Sequence, residues 1–148
     1  MNTETALARM AALCSVSEHC ESDIRLRLER AGLQASDIQA VIDRLYAEGY
    51  LDTARYCRAY ASDQMRFARW GPVKIAAALR QRGLPAADID EALAVLPSEE
   101  MEACLRHLLA SKMRQTATPM REKLLRFAAS RGFTYDMACR AVDDVLCQ

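Results

Sequence analysis

The chain has 148 residues, 51% of them apolar, with 20 basic and 20 acidic side chains and no net charge. Only three Phe and one Trp are present, so any core is filled mainly by aliphatic residues. No stretch approaches the roughly 18 continuous apolar residues of a membrane span, and the N-terminus lacks the basic flank and apolar run of a signal peptide. A cytoplasmic protein with no membrane partner is expected.

Helix signals follow one another from the N-terminus. The first helix is expected over about 3–17, capped by Thr3, with Leu7, Met10, Leu13 and Cys14 on one stripe. The second, about 21–31, carries Ile24 and Leu28 and stops at Gly32. Ser36 is expected to cap a third, about 37–48, with Ile38, Val41, Ile42 and Leu45, ending at Gly49. Asp52 then caps the fourth and longest helix, about 53–69, terminated by Gly71 and Pro72. Pro72 opens the fifth, about 72–82, where its missing N–H costs nothing. Gly83 ends it, and Pro85 opens the sixth, about 85–96. A seventh follows over about 99–115. Thr118 and Pro119 read as cap and first turn of an eighth, about 119–131, ended by Gly132, and Thr134 caps the ninth, about 135–146. No run alternates as a strand does, so the chain reads as all-α.

These elements repeat. With Gly32, Gly83 and Gly132 in register, Ile24, Ile75 and Leu124 coincide upstream, as do Leu28, Leu79 and Ala128. Downstream, Leu33, Leu84 and Phe133 coincide, then Ile38, Ile89 and Ala138, then Ile42, Leu93 and Val142. The pattern predicts three tandem three-helix repeats, 1–51, 52–97 and 98–148, forming an elongated, curved rod whose neighbours share a buried seam. Such an array presents a surface rather than a pocket.

Charge is segregated along the rod. Residues 55–82 hold Arg55, Arg58, Arg66, Arg69, Lys74, Arg80 and Arg82 against Asp63 alone. Residues 83–105 hold acids and no base. Residues 106–131 are again basic, and Arg114, Arg121, Lys123, Arg126 and Arg131 make a second candidate basic surface. On the fourth helix Arg55, Arg58, Arg66 and Arg69 fall within an arc of roughly 80°. Tyr56, Tyr60 and Phe67 occupy the adjoining sector, expected to pack inward. A single-sign arginine ridge suits carboxylate or phosphate pairing more than solubility. Trp70 reads as closing the apolar seam between repeats, and Tyr46, Tyr50 and Tyr135 as packing residues.

No catalytic constellation is visible. The two histidines, His19 and His107, lie in different repeats and read as surface residues. Cys14, His19 and Cys20 lack a fourth ligand and zinc spacing, so no metal and no cofactor is expected, and the six cysteines read as core or surface thiols. Neither a phosphate loop nor a nucleophile–base set is present, so a non-enzymatic protein is expected.

Residues 50–84 resemble the central signature of the RecX family of bacterial recombination regulators. Leu51 and Asp52 match its Leu-Asp step, Arg55 and Tyr56 its Arg-aromatic pair, and Gly71, Lys74, Ile75, Leu79 and Gly83 the remainder. The segment from Ser15 to Leu28 is similar to the family's first repeat, and Arg131-Gly132-Phe133 to its third-repeat turn. Thr53 stands where the family usually has a second acid, and Cys20 where it usually has a Ser or Thr cap. The resemblance implies a monomer that binds the RecA recombinase filament on single-stranded DNA and inhibits strand exchange and ATP hydrolysis. It implies a place in DNA repair, homologous recombination and the SOS response, with single-stranded DNA met only within the filament. The basic residues 55–82 are then the partner-binding set. Two other classes stay open: a helix-turn-helix-like DNA-binding protein, disfavoured by the acidic stretch 83–105, and a helical-repeat scaffold for another protein.

Overall fold

The computed structural model describes residues 1–117 and 120–147. Among them are nine α-helices and no strand: α1 Thr3–Val16, α2 Glu21–Arg30, α3 Ala35–Ala47, α4 Thr53–Asp63, α5 Pro72–Gln81, α6 Ala86–Ala94, α7 Ser98–Gln115, α8 Arg121–Ser130 and α9 Tyr135–Leu146. A π-helical turn, Gln64–Ala68, continues α4. The helices pack in consecutive threes: α1 and α2 on α3, α4 and α5 on α6, α7 and α8 on α9. The accessible surface is 8539 Å², against about 7,500 Å² for a compact protein of this mass. The excess fits an elongated array of three-helix repeats.

The three glycines in sequence register are structurally equivalent. Gly32, Gly83 and Gly132 have φ of 89°, 80° and 92°, the left-handed region in which a Cβ is penalised. Each donates its N–H three residues back, to Glu29, Arg80 and Ala129, all at 3.0 Å. The next residue donates five back, Leu33 to Leu28, Leu84 to Leu79 and Phe133 to Ala128, each at 3.2 Å. This is one Schellman cap made three times. The upstream apolar positions are all buried, as are Ile38, Ile89, Ala138, Ile42 and Val142. Leu84 and Phe133 are buried as well, while Leu33 and Leu93 are half-buried.

The apolar interior is in two parts. One core, from Ala6 and Leu7 to Leu45 and Leu51, lies within the first three helices and the segment that follows α3. The other runs without a break from Tyr56 through Ile75, Leu79 and Leu105 to Val145, so the second and third groups share it. Cys20 is the first group's contribution to that second core among the described residues. The expected buried seam therefore exists between the second and third groups, while the first joins the second through mainly polar contacts.

Several helix ends depart from expectation. Asn2, not Thr3, caps α1, its Oδ1 accepting from the Thr5 amide at 2.8 Å. Ser36 lies inside α3, whose cap position is Gln34 without a side-chain bond. A helix start can slide by a residue or two where several capping types adjoin. Asp52 and Thr134 do cap α4 and α9, accepting from Arg55 and Met137 amides. The longest helix is α7, with 18 residues. The expected cap at Thr118 and Pro119 lies outside the described residues.

Candidate partner-binding surface

The arginine ridge begins on α4, whose helical conformation starts at the Asp52 cap. Arg55 reaches back to the first group: its Nε donates to Glu18, and its Nη2 to the carbonyls of Gly49 (3.1 Å) and Tyr50 (3.3 Å). Arg58 pairs with Glu91 of α6 at 2.9 Å. Arg66, on the π turn, pairs with Glu100 at the start of α7 at 3.4 Å. Three ridge arginines thus meet one acid from each three-helix group. Sequence reading missed these acids because they lie 33 to 37 positions away, far beyond the i,i+4 spacing that makes helical pairs legible. The Arg58 and Arg66 pairs are substantially exposed, and such pairs contribute about 0–1 kcal/mol each; the Arg55–Glu18 pair is half-buried.

Arg69 ends the π turn in the left-handed region, φ 58° and ψ 43°, the one such non-glycine among the described residues. That conformation costs a side-chain-bearing residue roughly 1–2 kcal/mol. The amide of Trp70 closes the turn on the carbonyl of Gln64 at 3.1 Å. A π turn spends more residues per revolution than an α turn, so the face predicted from α periodicity drifts. Met65 takes the core position, and Phe67 is 82% exposed instead of packing inward. Tyr56 is buried and Tyr60 half-buried, as expected. A cleft of about 450 Å³ opens beside the turn, lined by Met65, Arg66, Arg69, Ala103, Cys104 and His107, with Glu100.

The remaining basic residues of this region behave differently from one another. Arg82 donates to the Tyr56 hydroxyl at 3.2 Å and covers the Tyr60 ring at 4.9 Å. Lys74 places its ammonium 4.7 Å from the Trp70 ring centroid. Trp70 is half-buried against the shared core, the seam position expected of it. Arg80 is exposed along a shallow groove with Trp70 and Lys74. In the second basic set, Arg121 pairs with Asp143 at 3.1 Å. Arg131 and Lys112 cover the Phe127 ring at 5.2 and 5.3 Å. Arg114, Lys123 and Arg126 are exposed. The structure brings Lys74 to the third group directly, its Cβ lying against Gly132.

Other readings need correction. Tyr135 is 71% exposed rather than packed. His19 is not a surface residue: its side chain is 15% exposed and its Nδ1 lies 2.7 Å from the Asp23 carboxylate. Burial, which opposes ionisation of Asp23, is outweighed by hydrogen bonds from His19 and Arg27, so this carboxyl sits below its usual range. Cys14, Cys20 and Cys57 are buried, Cys104 and Cys139 half-buried, and Cys147 exposed. Burial pushes the Cys57 thiol up to about 11. Burial also raises Cys104, with Arg69 pulling the other way. Thiols so raised stay protonated near neutral pH and are weak nucleophiles. Thr53, in place of the family's second acid, donates to Asp88 of α6 at 2.6 Å, where a carboxylate would meet a like charge.

Geometry of this kind defines a helical-repeat protein with a charged, elongated surface. A family model described as RecX, second three-helix domain, matches residues 52–93. Regulatory protein RecX of Pseudomonas fluorescens is 34% identical over 144 residues, covering 95% of this chain and 92% of the relative. That of Pseudomonas putida is 34% identical, with 95% and 91% covered. A crystal structure of regulatory protein RecX matches with a TM-score of 0.83 at 25% identity, over 95% of this chain and 71% of that one. RecX from Lactobacillus salivarius matches in fold, with a TM-score of 0.84 at 16% identity, over 99% and 97%. The chain belongs to the RecX family of regulatory proteins. No helix among the described residues is long and apolar enough to cross a membrane.

Proposed function

We propose that this protein binds the RecA recombinase filament on single-stranded DNA and inhibits its strand exchange and ATP hydrolysis by occupying its surface. The observation that carries this reading is family likeness along 95% of the chain, joined to a ridge of arginines held in exposed, exchangeable ion pairs. A partner's carboxylates can replace Glu91 or Glu100 at small cost, because the internal pairs are solvated and weak. Arg55, Arg58, Arg66, Arg69, Lys74, Arg80 and Arg82 are the proposed contact set. An elongated array of repeats spans successive filament subunits, and inhibition by occupation requires no catalytic group, so the protein acts as a cytoplasmic regulator and not as an enzyme.

The second basic surface supports a contact with the strand inside the filament. Arg114, Lys123, Arg126 and Arg131 make no ion pair among the described residues, the state in which phosphates are met without displacing a carboxylate. Measurement of RecA ATP hydrolysis on single-stranded DNA tests the reading. Wild-type protein should suppress it, and Arg58→Glu with Arg66→Glu should weaken suppression on the order of tenfold while melting changes little. Equal inhibition by wild type and double mutant would remove the ridge from the contact set. Tight binding to naked DNA with indifference to RecA would favour the DNA-binding alternative.

A further inference from the structure

Four features converge on one short segment. The π turn at Gln64–Ala68, the left-handed Arg69, the exposed Phe67 and the adjoining cleft occupy the end of the α4 extension. Strained backbone and π turns gather where a side chain must be aimed at a ligand. Here the strained residue is an arginine where glycine would be relaxed, and it makes no ion pair among the described residues. The cleft walls are of two kinds: Met65, Ala103 and Cys104 are apolar, and Arg66, Arg69 and His107 supply donors.

We propose that this cleft takes a short acidic–apolar segment of a partner protein, its carboxylate on Arg69 and its apolar side chain beside Met65 and Ala103. Glu100 already shows what the site accepts, since its carboxylate lies 3.4 Å from Arg66. A carboxylate of the partner displaces it from an exposed pair. A phosphate alone is a poorer fit, because the volume of about 450 Å³ with Met65, Ala103 and Cys104 in its lining exceeds what a phosphate fills. The inference rests on the reading of the ridge as the partner-binding surface, and names the chemistry of the partner's side of it.

The test uses the full chain and a fluorescent peptide bearing paired acids followed by Phe and Leu, read by anisotropy. Wild type should bind it, and a peptide with Lys for the acids, or Ala for the Phe and Leu, should bind about tenfold more weakly or worse. Arg69→Gly should weaken binding by a similar factor with melting unchanged or raised, because glycine relaxes the left-handed turn. Ala103→Glu, which puts a carboxylate in the cleft, should do the same from the other wall. Arg30→Glu, exposed on α2 and outside both the cleft and the ridge, should leave peptide binding within about twofold. No binding by wild type, no loss in Arg69→Gly and Ala103→Glu, or displacement by an oligonucleotide as readily as by unlabelled peptide would overturn the proposal. Filament inhibition separates the two readings. If peptide binding fails while wild type still inhibits RecA, the cleft falls alone; if peptide binding holds while RecA is unaffected, the cleft stands for another partner.

Discussion

The two junctions of this rod are built on opposite principles. Between the second and third groups, backbone meets backbone: Gly71 donates to the Arg131 carbonyl at 2.7 Å and Val73 to that of Gly132 at 2.8 Å. One apolar core runs beneath that contact. Between the first and second groups, the link is the Glu18–Arg55 pair, two carbonyl bonds from Arg55, and Cys20. Clefts of about 360 and 250 Å³ border Cys20 and Arg82 there, and one Glu18 oxygen is buried without a hydrogen-bond partner. One seam is made by close approach over an apolar core; the other is made by charge beside open clefts.

The largest effect should come from breaking the apolar seam. A Cβ on Gly132 would lie 2.3 Å from the Lys74 Cβ, and one on Gly71 would lie 2.5 Å from the Gly132 backbone. Gly132→Ala combines that overlap with a left-handed backbone and should cost about 3 kcal/mol or more. Gly32→Ala meets the same backbone requirement with nothing within 4 Å, and should cost about 1–2 kcal/mol. Urea unfolding of the two variants checks this ordering. Equal losses at the two sites would show that the junction yields and that close approach contributes little.

That contrast also shows where sequence is legible. Helical periodicity and the three glycines suffice to predict nine helices in threes, because caps and apolar stripes are local codes. The same code cannot distinguish Gly132 from Gly32, since what separates them is Lys74, far away along the chain. The ridge shows the same boundary. Four arginines on one helical face can be counted from the sequence, but Glu18, Glu91 and Glu100 reach them only through tertiary packing. Phe67 was misplaced because its neighbours read as α-helix while the chain adds a π turn before Trp70. The cleft beside that turn has no local signature.

A smaller effect should come from loosening the polar seam. Glu18→Gln keeps the side-chain shape but removes the charge facing Arg55, whose bonds to the Gly49 and Tyr50 carbonyls remain. The loss should be about 1 kcal/mol. Its diagnostic is location rather than size. Native-state hydrogen exchange should show α1–α3 opening at lower free energy, while amides of α5, α8 and α9 keep wild-type protection. Uniform loss of protection along the chain would mean that the two cores unfold as one unit.

The smallest effect is a pH dependence confined to the first group. Asp23 accepts from His19 at 2.7 Å and from Arg27 at 3.2 Å, and its carboxyl is held below the ordinary value of 3.8. A carboxyl lowered in the folded state contributes stability that is fully present above its unfolded value. That stability is lost as pH falls through the folded value. Stability of α1–α3 should therefore decline below about pH 4 more steeply than Asp23→Asn does, the two curves converging in acid. The side chain is 35% exposed, so solvent screens the pair and added salt should shrink the difference further. Exchange protection in α8 and α9 should not register the substitution, because their core contains none of the first group's charged residues. If Asp23→Asn shifted the acid limb of α8 and α9 as well, the polar seam would transmit strain between the cores rather than isolate them.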